Sequence, residues 1–134
     1  MKPDPLGVPR HPLVVYLLGL CVVSGLAIVV GGTAAGSLQA QLDPVAQYAW
    51  AGILAAGSSC TLAGMYWPAD PRTGLLLKRW GYTALAIAAA IYSLVLWGTF
   101  GPAAFLIGAT VAGFAVACGL TARDVNRAIR TTLP

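Results

Sequence analysis

The stretch Ala84–Trp97, ALAIAAAIYSLVLW, decides the fold class because it has no charged residue and does not alternate apolar with polar side chains. A strand of a membrane β-barrel would alternate along its length, so this stretch predicts a helix. It lies inside an uncharged segment of 43 residues, Trp80–Ala122. A helix crosses the bilayer core in about 20 residues, so the segment holds two crossings if the chain turns midway. The glycines and proline of Gly98–Pro102 supply that turn.

Two further segments without charges precede this one, Leu13–Leu42 and Pro44–Ala69. Each is long enough for one crossing, and Asp43 is expected to cap the start of the second helix. The sequence therefore predicts an all-α membrane protein whose four transmembrane helices form two helical hairpins. The chain is expected to be a single polytopic membrane domain over residues 1–134. The predicted spans lie near residues 13–31, 46–67, 79–97 and 103–121.

The composition excludes an ordinary water-soluble domain. Of the 134 residues, 9% are charged and 58% are hydrophobic, and there is no glutamate. Soluble proteins carry about 25% charged residues, which cover the surface that faces water. The charges of this chain are too few to form such a surface, so the composition agrees with the membrane assignment.

The basic side chains fall in three groups, which the predicted helices place on one side of the membrane. The loop between the first two spans and the turn at Gly98–Pro102 contain no lysine or arginine. Basic residues accumulate in cytoplasmic loops, so both termini are predicted to be cytoplasmic. The groups lie at the N-terminus (Lys2, Arg10), in a loop over residues 68–79 (Arg72, Lys78, Arg79) and in a tail over residues 122–134 (Arg123, Arg127, Arg130).

The basic loop and tail are predicted to anchor the helices at the membrane surface. An anionic inner leaflet attracts each nearby basic residue by about 1 kcal/mol, so the lipid bilayer is the expected partner of both segments. In the tail, Arg123, Arg127 and Arg130 share one helix face. A specific ligand site in the loop is the alternative. Nucleic acid is not an expected partner, because no binding module or large basic face accompanies the charges.

The first span has a second interpretation, as a cleaved signal peptide. Its apolar run Leu13–Val30 has 18 residues, longer than the roughly 7–15 residues of a usual signal core. We therefore expect the span to be retained. Cleavage would leave three helices and remove the N-terminal basic pair.

The sequence predicts no enzyme. Membrane enzymes and pumps keep ionisable groups inside the bilayer, and apart from Arg79 at the edge of the third span, the four predicted spans contain no Asp, Glu, Lys, Arg or His. The cysteines Cys21, Cys60 and Cys118 lie in three different spans without metal-ligand spacing. Buried free thiols are the expected state, and we expect no catalytic residue, cofactor or metal.

Small residues recur four apart in the predicted spans, where they allow helix backbones to approach closely. Two outcomes are open: these positions pack one compact monomer, or some face outward and promote oligomers. Because the fourth span carries small residues on more than one face, a homo-oligomer is favoured. The predicted helix-packing residues are Gly52, Ala56, Ala104, Gly108, Ala112 and Gly113.

Most aromatic side chains lie near the predicted span ends, where their rings favour the headgroup level. Trp50 is predicted to be one of these interfacial residues. Tyr92 is the exception, because it lies inside the third span, and its hydroxyl is expected to face a neighbouring helix or a wet cavity.

The segment Trp67–Gly81, WPADPRTGLLLKRWG, together with the size, the four spans and the basic tail, resembles small four-helix membrane proteins of actinobacterial bacteriophages, which include holin-like proteins. The resemblance implies a protein that accumulates in the bacterial cytoplasmic membrane, oligomerises and permeabilises it. The alternative is a non-enzymatic accessory or scaffold protein. Such a protein would act in assembly or superinfection exclusion, or dock a cytoplasmic partner through the basic segments.

Overall fold

The computed structural model describes residues 12–32, 36, 39, 42–67 and 70–132. These residues are helical apart from short connections and contain no strand, so the all-α class is confirmed for the described part of the chain. The elements are α1 (Pro12–Gly31), α2 (Pro44–Tyr66), α3 (Pro71–Phe100), a 3₁₀ turn (Gly101–Ala104) and α4 (Phe105–Thr132).

Two helices begin at an aspartate followed by a proline. The Asp43 carboxylate accepts a hydrogen bond from the backbone N–H of Ala46 at 2.9 Å, as its position before Pro44 predicts. Asp70 precedes Pro71 and starts α3 in the same way. Its carboxylate therefore satisfies N–H groups that have no partner within the first helical turn.

The predicted basic loop over residues 68–79 is wrong in its extent, because α3 begins at Pro71. Proline at the first helical position is already set to a helical φ angle, and the Asp70 cap completes the start. The connection between α2 and α3 therefore occupies only residues 67–70. Arg72, Lys78 and Arg79 lie on a helix rather than in a loop.

The turn between α3 and α4 also lies further along the chain than predicted. Helix α3 continues to Phe100 and ends at Gly101, whose φ of 54° is in the region that favours glycine. The 3₁₀ turn follows, and α4 then continues without a break to Thr132. The predicted tail over 122–134 is therefore helical as far as it is described.

Consecutive helices pack against each other in antiparallel pairs, α1 with α2, α2 with α3, and α3 with α4. The seam between α2 and α3 is the most regular. A Cβ added at Gly57 would lie 3.2 Å from the Gly81 carbonyl oxygen, and one added at Gly64 would lie 2.6 Å from that of Gly74. Only glycine allows such close backbones, so these two pairs fix the register of the two helices.

The apolar interior consists of two clusters. The first joins α2 and α3 through Trp50, Ala51, Ala88 and Val95. The second joins three helices, because it contains Leu18 of α1, Leu85 of α3 and Cys118 of α4. Side chains of α1, α3 and α4 therefore share one apolar cluster.

Trp50, predicted to be an interfacial residue, lies inside the fold rather than on its outer surface. Its side chain is 8% exposed, and its indole N–H donates to the carbonyl oxygen of Ala88 at 2.8 Å. The Tyr92 ring lies 5.5 Å from the Trp50 ring, centroid to centroid. Pairing the indole N–H inside the fold removes the reason for Trp50 to stay at a polar boundary.

Candidate membrane interface

The outer surface of the helices carries many large apolar side chains. On α1, Val30 is 84% exposed, and on α4, Leu106 is 78% exposed. A protein surrounded by water seldom exposes so much continuous apolar surface. Other exposed members include Leu13, Leu17, Leu20, Val23 and Leu26 on α1, Ile87 and Leu94 on α3, and Phe105, Ile107, Val116 and Leu120 on α4.

Two helical segments of the described chain are long and apolar enough to cross a bilayer: Pro12–Gly31, and Pro71–Thr131, which runs through α3, the 3₁₀ turn and α4. Helix α2 has the length but is less apolar, since it contains glycines, serines and a glutamine. Many of these residues face inward, where Ser58 and Thr61 are fully buried. These findings agree with a membrane protein.

The predicted surface anchors do not share one environment. Arg72, Arg123, Arg127 and Arg130 are exposed. Arg79 is partly buried, with its guanidinium 5.2 Å from the centroid of the Trp80 ring, a distance typical of a cation–π contact. The exposed arginines are therefore free to reach a polar surface, whereas Arg79 lies against an exposed aromatic ring.

Lys78 does not fit the anchor prediction, because it is only 8% exposed. An added Cβ at Gly64 would lie 3.0 Å from Lys78 Cγ, so the lysine stem packs over the α2 backbone. A long aliphatic stem can cover apolar surface in this way. Lys78 therefore belongs to the contact between α2 and α3, and its stem is not available to lie along a lipid surface.

The antiparallel register of α3 and α4 brings the two basic segments to one end of the fold. The Ser93 hydroxyl donates to the carbonyl oxygen of Gly108 at 2.9 Å, which sets Ser93 level with Gly108. Counting outward from this contact places Arg79 level with Ala122, one residue before Arg123. We call the segments Arg72–Arg79 and Arg123–Arg130, level with each other, the basic end. At 1.5 Å per residue, each segment is about 10 Å long.

Two carboxylates lie at the basic end. Asp70 accepts hydrogen bonds from the Thr73 hydroxyl at 2.8 Å and the Arg72 N–H at 3.1 Å, and these bonds hold the pKa of the Asp70 carboxyl below its usual value. Asp124 lies 3.9 Å from Arg127, with both side chains well exposed. The described residues at this end therefore include six basic and two acidic side chains, so the basic end has a net positive charge.

The predicted helix-packing residues divide into two sets. Ala104 and Gly108 are buried, and a Cβ added at Gly108 would collide with the Trp97 indole. A Cβ added at Gly52 or Gly113 would meet no atom within 4 Å. Ala56 is exposed and Ala112 is partly buried. Gly52, Ala56 and Gly113 therefore lie outside the contacts among the chain's own helices, and their role in self-association stays a prediction.

The glycines that hold the fold together were missed. Gly57 and Gly64 of α2 are seven residues apart, as are Gly74 and Gly81 of α3. Seven residues make nearly two helical turns, so each pair lies on one face. The matched seven-residue spacing of the two pairs is the sequence signal for this contact, and small residues four apart do not reveal it. Gly25 contacts Ala51 and Ala55 and joins α1 to α2.

No group of side chains that could hold a metal ion is found in the described part of the chain. Its three cysteines are free thiols, and its His, Cys, Asp and Glu residues form no group of three that could hold a metal ion. The buried hydroxyls are bonded to carbonyl oxygens, as with Ser58 to Leu54 at 2.8 Å. These polar groups stabilise helices and their contacts.

No protein-family model, curated protein or solved structure matches this chain. The functional argument therefore rests on the residues and on the surface they form.

Proposed function

We propose that the chain is a multi-pass protein of the bacterial cytoplasmic membrane, with α1 to α4 as its four spans and both termini in the cytoplasm. One observation carries the proposal: large apolar side chains lie outside, while glycines and small residues lie between the helices. Lipid chains solvate the large apolar side chains on the outside. The glycines and small residues allow the close packing on which helix association in lipid depends. The position of the basic end supports the cytoplasmic orientation.

Within that membrane we propose a holin-like activity, in which copies of the chain assemble laterally and permeabilise the bilayer. The support is the set of small positions that the chain's own helices leave open, Gly52, Ala56 and Gly113. A second copy can approach closely at such positions. The resemblance carried by Trp67–Gly81 points to the same activity.

A second candidate is an accessory or scaffold protein that docks an acidic cytoplasmic partner. The observation that favours it is the length of α4, which continues to Thr132 and exposes Arg127 and Arg130 past the last apolar stretch. A rigid helix with exposed arginines offers a surface that complements an acidic protein.

Inducible expression in a bacterial host tests the first candidate. A potential-sensitive dye reports the membrane potential, viable counts report killing, and a parallel culture co-expresses a cytoplasmic murein-degrading enzyme. We expect abrupt depolarisation and lysis that depends on the enzyme. Normal potential and growth at full membrane accumulation would exclude the holin-like activity and favour the accessory role.

Variants at open glycines separate assembly from folding. Gly52→Leu combined with Gly113→Leu adds bulk at two positions where an added Cβ meets no atom of the chain's own helices within 4 Å. We expect this double variant to accumulate normally and to lose permeabilisation. Gly19→Leu is the matched control, because Gly19 is also open but lies on α1. Equal loss in the control would show that added bulk, rather than a blocked contact, causes the defect.

A further inference from the structure

The two hairpins of the fold are displaced from each other along the helix axes. Three contacts set the register of α2 and α3: Trp50 with Ala88, Gly57 with Gly81, and Gly64 with Gly74. Counting from them, the α2 end at Tyr66 is level with Arg72 of α3. Seven residues earlier in α2, Ser59 is level with Arg79.

Helix α1 covers the same stretch along the helix axes as α2. Gly25 contacts Ala51 and Ala55 in antiparallel packing, which places the start of α1 at Pro12 close to the level of Tyr66. The exposed side chains Leu13 and Leu17 near that start therefore lie at the same level as the basic end.

The apolar layer of the second hairpin begins further from this end. On α3 and α4 it is bounded by Arg79 and Arg123, whereas on α1 and α2 it extends to Pro12 and Tyr66. The difference is seven residues, or about 10 Å along the axis. At the opposite end α3 continues past the level of the α2 start, and its exposed Phe100 extends the apolar layer there. The second hairpin is thus shifted, not shortened.

We propose that this step between the hairpins is a binding site for anionic phospholipid headgroups, which Arg79 and Arg123 draw about 10 Å toward the middle of the bilayer, so that one leaflet is thinned locally. The inference rests on the proposed membrane location. It adds a position and a deformation that the anchor prediction did not contain.

Charge and surroundings favour lipid as the occupant. Arginine binds phosphate oxygens through paired hydrogen bonds, and the basic end has a net positive charge. On the neighbouring hairpin, Leu13 and Leu17 expose apolar side chains at the same level. A phospholipid meets both needs, since its phosphate pairs with arginine while its chains cover the leucines. Trp80 is exposed beside Arg79, and its amphipathic ring suits the boundary between the lipid headgroups and the acyl chains.

The test uses the full chain reconstituted in phosphatidylcholine vesicles with spin-labelled lipid probes. Electron spin resonance measures how strongly spin-labelled phosphatidylglycerol is preferred over spin-labelled phosphatidylcholine at the protein surface. We expect a preference of about fivefold for each arginine that contacts a headgroup. Arg79→Gln with Arg123→Gln should remove most of the preference.

Arg72→Gln with Arg130→Gln is the matched control. It removes the same charge from the same two helices, but at the level where α1 and α2 also end. We expect it to keep most of the preference. Equal loss in both double variants would overturn the inference, because a diffuse surface charge would then explain the preference. No preference in the unmodified chain would also overturn it, because the chain would then have no site for anionic lipid.

Two further arms separate other occupants and causes. Inorganic phosphate or a short oligonucleotide is added and compared with sodium chloride at equal ionic strength. If either one reduces the lipid preference more than the salt does, lipid is not the occupant of the site. Extraction of the chain from vesicles by alkaline carbonate would instead contradict the proposed membrane location. Resistance to carbonate without lipid preference would reject the lipid site alone.

Discussion

The two faces of α2 carry the same kinds of residue and have different surroundings. The inner face presents Gly57 and Gly64 to α3, where an added Cβ would lie within 3 Å of α3 atoms. The outer face presents Gly52 and Ala56, and a Cβ added at Gly52 would meet nothing within 4 Å. Small residues at helical spacing therefore do not identify a helix contact by themselves.

The difference between the faces lies in what accompanies the small residues. The inner face also carries Trp50, which donates its indole N–H to the α3 backbone, and the buried Thr61. Matching glycines lie on the partner helix at the same separation. A close contact in lipid thus needs small residues on both helices and polar groups that pair across or within them.

The largest effect is expected from Gly81→Ala. Its Cβ would collide with the Thr61 hydroxyl and lie 2.7 Å from the Gly57 carbonyl oxygen, so α2 and α3 must separate. Overpacking of this kind costs about 1–3 kcal/mol, and we expect the upper part of that range. Unfolding by sodium dodecyl sulfate in mixed micelles, followed by tryptophan fluorescence, measures the loss.

Gly52→Ala is the control for that prediction. It makes the same chemical change on the outer face of α2, where space is open. We expect the free energy of unfolding to stay within about 0.5 kcal/mol of the unmodified chain. A similar loss in both variants would show that helix propensity or the micelle, rather than the α2–α3 contact, determines the result.

A smaller loss is expected from Gly25→Ala. The new Cβ would lie 2.8 Å from both the Ala51 carbonyl oxygen and the Ala55 Cβ. Because α1 has few buried residues, it can shift outward more easily than α3 can. We expect about 1 kcal/mol, at the low end of the cost of overpacking, in the same unfolding assay. Gly19→Ala, at an open position of the same helix, should have no such effect.

The helical class and the rough position of the helices followed from the sequence, because the uncharged segments have the length that a helix needs to cross a bilayer. The start of α3 at Pro71 did not, since charges were taken to mark a loop. The Asp70–Pro71 pair is a helix-start signal that outweighs them. Charge position indicates where a helix leaves the apolar layer, and capping residues indicate where it begins.

The register of the helices is the part that composition could not supply. Whether Gly64 or Gly52 meets a neighbour depends on how the neighbouring helix is rotated, which the residues of one helix do not determine. Lys78 shows the same limit: its charge suggested the surface, but its packing over Gly64 buries it. The seven-residue spacing of glycines in both α2 and α3 is the sequence feature that indicates how these two helices are aligned.

A loss of stability smaller than that of Gly25→Ala is expected from Trp50→Phe. The variant keeps an aromatic ring beside Tyr92 and loses the hydrogen bond to the Ala88 carbonyl oxygen. Hydrogen bonds between helices in lipid contribute about 0.6 kcal/mol on average. We expect a loss near that value. Trp67→Phe is the control, because Trp67 is exposed, and an equal loss there would mean that the indole bond adds nothing.

The smallest effect is expected at the start of α3, and it depends on pH. The hydrogen bonds that Asp70 accepts from Thr73 and Arg72 hold the pKa of its carboxyl below the unfolded value of about 4. A carboxyl with a lowered pKa contributes stability that is fully present above the unfolded pKa and is lost as the pH falls through the folded pKa. The contribution of the cap should therefore weaken below about pH 4.

Asp70→Asn isolates this contribution, because asparagine also caps helices but does not titrate in this range. The other carboxyl groups are common to both proteins, so the difference between the two unfolding curves across pH 2–6 reports Asp70 alone. We expect the unmodified chain to lose stability relative to the variant as the pH falls through the lower half of that range. Parallel curves would show that the carboxylate charge adds nothing beyond the geometry of the cap, and α3 would then start equally well with a neutral residue before Pro71.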